Sequence, residues 1–270
     1  MSNWFMRILC LSRAPLDFRG GIPAYCRNIY SSNFQEVDAL SYDLSGKLRD
    51  QKKRIHQGIN EIVCPSEIIF GTLAISVKYL IFIFNKTKNY KYIHYQHPDP
   101  FSAILLIISK IFFNRNLKIV TTWHADVYKN YWIVAPILLI IDFLLFLFSK
   151  KIIFFTPSHF SSSFLPKFII FRKKVIIIPF CIDANLTNNK TTNLKYLQKS
   201  LLNRQVKILS IGRLVNYKGY EFAIRAIAKL KEDVTYNIAG DGPLKNKLEK
   251  LIKSLSLEKK VKLLGEINED

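Results

Sequence analysis

Residues 206–230 read V-K-I-L-S-I-G-R-L-V-N-Y-K-G-Y-E-F-A-I-R-A-I-A-K-L, residues 236–244 Y-N-I-A-G-D-G-P-L, and residues 261–265 V-K-L-L-G. Val206 to Ile211 predicts a buried strand, which Gly212 breaks, leaving Arg213 at its carboxyl end. Lys218 and Gly219 then open a helix on which Phe222, Ala223, Ala226, Ile227 and Leu230 recur at helical spacing. A second strand, Val234 to Ala239, ends in Gly240-Asp241-Gly242-Pro243 and leads into a second helix. Cations and glycines at strand ends are what an open α/β sheet needs to hold a phosphorylated ligand in its crevice.

Upstream, strand-like runs alternate with helical patterns, which predicts parallel sheets. Met6 to Ser12, Val37 to Tyr42, Tyr90 to Tyr95, Leu117 to Thr122, Lys151 to Phe155 and Lys174 to Ile178 read as strands, with a helix from Pro23 to Tyr30. Gly46 to Gln57 is basic and poorly patterned, and reads as an exposed segment. From Ala184 to Gln205 the pattern collapses into Asn, Thr, Lys and Leu. The expected organisation is therefore a first Rossmann-like domain over residues 1–183, a linker over 184–205, and a smaller domain of three strands and two helices over 206–270.

The chain has 270 residues and a net charge of +20, shared by both halves. Such a field favours anionic partners: nucleotide diphosphates, lipid phosphates or nucleic acid. Four cysteines, Cys10, Cys26, Cys64 and Cys181, lie far apart without metal spacing, as in a reduced cytoplasmic protein. The opening residues, interrupted by Arg7 and Arg13, read as a strand rather than a secretory signal. The longest apolar run, Ile133 to Phe148, is broken by Pro136 and Asp142 and falls short of the roughly 20 residues of a spanning helix. Buried or interfacial helices fit it better, and attachment to the inner face of the plasma membrane stays open. No Gly-x-Gly-x-x-Gly follows the first strand, which disfavours a plain NAD enzyme.

Gly212-Arg213-Leu214, Lys218-Gly219 and Gly240-Asp241-Gly242-Pro243, in that order and spacing, resemble the donor-binding half of glycosyltransferase family 4. Its members are retaining nucleotide-sugar transferases of the GT-B fold, built from two Rossmann-like domains. The resemblance implies a hexose moved from a UDP- or GDP-linked donor to a lipid-linked or oligosaccharide acceptor, as in bacterial surface-polysaccharide synthesis. It implies no metal and no nucleic-acid partner. Arg213 and Lys218 would neutralise the donor diphosphate beside Gly212, Gly240, Asp241 and Gly242, with Gly20-Gly21 facing the same group from the first domain. Thr121-Thr122-Trp123-His124-Ala125-Asp126 resembles a Trp-His-Ser/Asp segment, with Ala125 where Ser is frequent. It implies that His124 contacts the donor sugar and leaves Asp126, with Tyr25, to the acceptor side. Asp126 also reads as a helix N-cap.

His94 and His97 follow a strand and read as lining a cleft, not as metal ligands. Ser158 resembles a hydroxyl cap at a helix entry, and Pro179 and Asp183 resemble the hinge, with Cys181 replacing its glycine. A complete member continues into a Glu–seven residues–Glu motif contacting sugar and ribose. Glu266 and Glu269, three apart, do not supply it. The sequence as written is thus expected not to close a full donor pocket. Two alternatives follow: an inactive remnant of such an enzyme, or a basic nucleic-acid binder resting on charge alone.

Overall fold

The computed structural model describes residues 7–18, 20–30, 36–70, 73–126, 133–164, 169–180, 206–230 and 233–267. The chain divides into two compact units, Met1–Thr187 and Asn188–Asp270. The expected linker, 184–205, lies outside the described residues.

Unit 1 is built on an eight-stranded sheet. Its strands are β1 (Ile8–Leu11), β2 (Val37–Tyr42), β3 (Lys52–His56), β4 (Ile59–Cys64), β7 (Tyr92–His97), β8 (Ile119–Trp123), β9 (Ser149–Phe154) and β10 (Val175–Ile177), in the order β10-β9-β8-β7-β1-β2-β4-β3. A hairpin of β5 (Ile68–Phe70) and β6 (Leu73–Ile75) stands apart. Every residue of β1 and β2 is buried, as a central parallel strand covered on both faces requires. Helix α1 (Gly21–Tyr30) packs Tyr25, Cys26 and Tyr30 with Ile8, Cys10 and Ala39 in one apolar cluster. Helices α2 (Val77–Lys86), α3 (Pro100–Ile108) and α4 (Ala135–Phe148) contribute Ile83, Leu106 and Leu145 to another. A π-helical turn, Ser109–Phe113, extends α3. Short helices α5 (Pro157–Ser162) and α6 (Ile169–Arg172) follow β9.

The strand order reverses at β1, between β2 on one side and β7 on the other. In an open parallel sheet that switch point opens a crevice at the carboxyl ends of the strands. The loops after β1, β7 and β8, which carry Gly20-Gly21, Pro98-Asp99 and His124, all start at that end.

Gly46–Gln57 is exposed or half-buried throughout, as expected, but it is not without pattern. Its second half is β3, antiparallel to β4 through a two-residue turn with Gln57 at φ 50° and Gly58 at φ 81°. The sheet is parallel throughout except for this edge, where Lys52 and Lys53 face solvent. Exposed lysines on an edge strand oppose pairing with another chain. Its alternation is weak because an edge strand buries so little.

Unit 2 has β11 (Val206–Ile211), β12 (Val234–Ala239) and β13 (Val261–Gly265), parallel, with α7 (Tyr220–Lys229) and α8 (Lys245–Ser254). Tyr220, Ile224, Tyr236, Ile238, Leu248 and Ile252 share its core. Two expectations are corrected. Among the described residues strand β11 is not buried: it is one of the two edge strands of this three-stranded sheet, and Leu209 and Ile211 are 57% and 67% exposed. The inward face of α7 runs through Tyr220, Ala223, Ile224 and Ile227, whereas Phe222 points out, 80% exposed. The helix is anchored by Tyr220, whose hydroxyl donates to the Gly212 carbonyl at 3.0 Å, and that contact sets the rotation of the stripe.

Candidate functional site

In unit 1 the site grows from a loop held down by charge. Glu61, on β4, is buried and accepts from Leu16 N (2.6 Å), Ser41 Oγ (3.1 Å) and Arg54 Nε (2.6 Å). The other edge of the Arg54 guanidinium grips Asp17 in two bonds of 2.7 and 2.6 Å. That pairing lowers the Asp17 carboxyl below its ordinary range. Arg27 of α1 donates to the Leu16 carbonyl. The loop leading to Gly20-Gly21 is therefore clasped by the hairpin that sequence reading missed. The available signal was a glutamate inside an alternating strand, with Gln-Gly just ahead of it.

Gly21 is the first residue of α1, and a Cβ there would meet nothing within 4 Å. Among the described residues no neighbour requires glycine at this position, and the space around its Cβ position is open. Arg19 lies outside the described residues. Tyr25, one turn further on, is 2% exposed, with its ring edge-on to His124 at 5.3 Å and Phe155 at 5.2 Å.

His124 follows β8. Its Nε2 lies 2.9 Å from Gln96 Oε1, while the amide nitrogen of Gln96 points at Cys10 Sγ. Nε2 therefore carries the proton and donates it, leaving Nδ1 as an acceptor. Burial, and after it the nearby His97, His94 and His159, lower the His124 pKa to about 3, so the ring is neutral at pH 7. A neutral imidazole with a free acceptor nitrogen suits a sugar hydroxyl. Asp126 takes the Trp123 indole N–H at 3.1 Å. Its reading as an N-cap falls on residues 127–132, outside those described.

His94 and His97 do not line a cleft. His94 is 7% exposed, between the hydroxyls of Tyr30 and Thr122, and burial lowers its pKa to about 4. His97 is 1% exposed, stacks on Trp123 at 3.6 Å and bonds Asp142 at 3.1 Å. Both sit within the sheet because a central strand covered on both faces has no solvent side. Ser158 does not cap α5: Thr156 does, accepting from His159 N at 3.0 Å, one residue before the Pro at the first helical position. Asp183 and Cys181 lie outside the described residues. Among the described residues no group of three or more His, Cys, Asp or Glu could hold a metal. A concavity of about 560 Å³ lined by Arg7, Asp38, Lys53 and Tyr90 opens at the amino ends of the strands, away from His124.

In unit 2 two strand-end loops are zipped together by their backbones. Gly212 N donates to Ala239 O (2.9 Å), Leu214 N to Asp241 O (2.9 Å) and Leu244 N to Leu214 O (3.1 Å). A Cβ on Gly240 would stand 2.1 Å from Gly212 O, and one on Gly242 2.6 Å from Leu214 O. These glycines are demanded by the packing of the two loops. Asp241 turns back, accepting from Gly242 N at 2.6 Å and facing Lys245 at 3.7 Å. Arg213 and Lys218 stand exposed on the rigid platform so formed, at the carboxyl end of β11 and in the 3-10 turn Asn216–Lys218. Among the described residues neither is in an ion pair; Lys218 Nζ lies 5.6 Å from the Tyr217 ring. Two free cations on a rigid strand end can bind a diphosphate.

Residues 194–270 match the family described as Glycosyl transferases group 1. A 58-residue stretch is 53% identical to the N-acetylgalactosamine-N,N'-diacetylbacillosaminyl-diphospho-undecaprenol 4-alpha-N-acetylgalactosaminyltransferase of Campylobacter jejuni, covering 22% of this chain and 16% of that enzyme. An uncharacterized glycosyltransferase of Methanocaldococcus jannaschii is 33% identical over 121 residues, 43% of this chain and 27% of the relative. The matches thus span only about a sixth to a quarter of these relatives' own length. Among solved structures, Anabaena HepE in complex with UDP and glucose is similar over 98% of this chain and 70% of its own, at TM-score 0.72 and 16% identity. The lipopolysaccharide outer core galactosyltransferase WaaB is similar over 97% and 69%, at TM-score 0.57 and 12% identity. The chain has a GT-B fold, and its residues 194–270 match the group 1 glycosyl transferases.

Proposed function

We propose that this protein is a retaining hexosyltransferase of glycosyltransferase family 4, moving a sugar from a UDP- or GDP-linked donor to a lipid-linked or oligosaccharide acceptor in cell-surface polysaccharide synthesis. The observation that carries the reading is the pair of exposed cations, Arg213 and Lys218, on a glycine-zipped strand end inside the segment that matches the group 1 transferases. The bond between the anomeric carbon and the diphosphate oxygen breaks, and charge gathers on the departing phosphate. Both cations stabilise that charge more in the transition state than in the ground state, which accelerates the reaction. The acceptor hydroxyl attacks the same face, and its proton passes to the leaving phosphate oxygen. His124 receives a donor-sugar hydroxyl at Nδ1, Gly20-Gly21 leave room for the diphosphate, and Tyr25 and Asp126 belong to the acceptor side. The reaction takes no metal. A lipid-linked acceptor sets the work at the cytoplasmic face of an anionic membrane.

Calorimetric titration with UDP and GDP, followed by transfer assays with their hexose conjugates, tests the reading. One of the two nucleotides binds. Arg213→Ala and Lys218→Ala each weaken it and, in a version of the enzyme that also carries the Glu–seven residues–Glu motif, lower turnover by about 10²–10³-fold. Wild-type turnover from both variants would overturn the assignment.

A further inference from the structure

A helix on the surface of a soluble protein buries its apolar stripe and turns its polar residues outward. Helix α4 does the opposite. Its outward positions are Ile137, Ile140, Phe143 and Leu147, at spacings of three, three and four, exposed by 60%, 61%, 38% and 43%. Its one charged residue, Asp142, is 5% exposed and turned inward onto His97. Helix α3 and its π-helical turn repeat the inversion: Ser102 and Ser109 are buried, whereas Ile104, Phe112 and Phe113 are 38%, 75% and 61% exposed. On α2, Ile81 is 50% exposed.

The three helices adjoin. Ile83, Leu106 and Leu145 share one core cluster, and Phe84 of α2 stacks on Phe113 at 4.8 Å. Their outer rows therefore lie side by side, and exposed apolar side chains gathered on adjoining helices mark an interaction surface. None of the described helices is long and apolar enough to cross a membrane. Charge identifies what covers the face. From α2 to β8 the exposed charged residues include Lys86, Lys88 and Arg115, whereas the one acid, Asp99, is 2% exposed. The exposed acids that reach these helices, Glu67 at Val77 N and Asp50 at Lys78, are confined to the amino-terminal turn of α2, and an apolar face otherwise bordered by cations fits an anionic lipid surface, into which aromatic and aliphatic side chains sink while lysines meet the headgroups. A second copy would bring like charges together.

We infer that the outer faces of α2, α3 and α4 dock this protein on an anionic phospholipid bilayer, with Phe112, Phe113, Ile137 and Ile140 entering the headgroup–acyl boundary. The basic hairpin around Lys52, Lys53 and Arg54, a natural first choice from charge alone, is not this face: Arg54 is engaged by Asp17 and Glu61. In naming a membrane the inference rests on the lipid-linked acceptor proposed above, but its test uses no transfer reaction, so each can fail alone.

The test is co-sedimentation of the full chain with phosphatidylcholine vesicles containing about one-third phosphatidylglycerol. The wild type sediments. Phe112→Ser/Phe113→Ser and Ile137→Ser/Ile140→Ser each lower the partition constant at least tenfold, and Phe222→Ser, on unit 2, leaves it within twofold. An environment-sensitive fluorophore at Phe112→Cys shifts to the blue on adding vesicles, relative to the unsubstituted chain treated identically; this readout stands even if a double variant misfolds. Three results would overturn the inference: no wild-type binding, wild-type binding by both double variants, or a lipid-free dimer that the same substitutions dissolve.

Discussion

At the scale of single residues, His94 and His124 are the groups whose chemistry burial decides. Both have pKa values below the ordinary 6.5, at about 4 and about 3. Folding therefore favours the neutral rings, and that contribution is complete above pH 6.5 and lost as pH falls towards the folded values. Urea denaturation at pH 7, 6 and 5 should show stability falling with pH. The slope should be shallower in His94→Gln by roughly 1.4 kcal/mol per pH unit. Equal slopes would mean that His94 protonates freely in the folded chain. His124 was legible from its place after an apolar strand. Its partner Gln96 was not, because Gln96 reaches it only through the pairing of β7 with β8, in which Gln96 stands opposite Thr122.

Among the elements, the glycine loops separate two demands that look alike in sequence. Gly240 is held by a backbone contact, with Gly212 O 2.1 Å from where a Cβ would sit, whereas Gly21 has open space. Gly240→Ala should lower the stability of unit 2 by about 3 kcal/mol, read from its thermal transition. Gly21→Ala should leave unit 1 within about 1 kcal/mol of wild type, since alanine suits a helix start. If Gly21→Ala were as damaging as Gly240→Ala, the space above α1 would be filled by protein. The edge hairpin makes a further distinction. Glu61→Ala leaves Arg54 without its buried partner and the Leu16 amide without its acceptor, and should cost roughly 3–5 kcal/mol. Lys52→Ala, on the exposed edge, should stay within about 0.5 kcal/mol. Chemical denaturation of the two variants side by side checks this.

Over the whole molecule, the division into units at Thr187 and Asn188 leaves each with its own apolar core. Limited proteolysis should cut first within residues 184–205, where the sequence is rich in Asn, Thr and Lys and lacks a buried pattern. N-terminal sequencing of the first fragments reads this out. Early cleavage between Ile8 and Ile177, with 184–205 protected, would contradict it.

The sequence alone determined what depends on local period and local chemistry. Apolar runs bounded by glycine were enough to show an alternating α/β chain, the strand-end cations Arg213 and Lys218, and the two glycine loops of the second unit, because each signal sits within a few consecutive residues. Tertiary structure decided what depends on which segments meet. It made β11 an exposed edge and turned Phe222 outward. It buried His94 and His97, and it joined Glu61 to a loop 45 residues earlier. It also showed that the apolar helices present Ile137, Ile140 and Phe112 to the outside. Hydrophobicity states that a side chain prefers to leave water, but only the packed neighbours determine which side chains succeed.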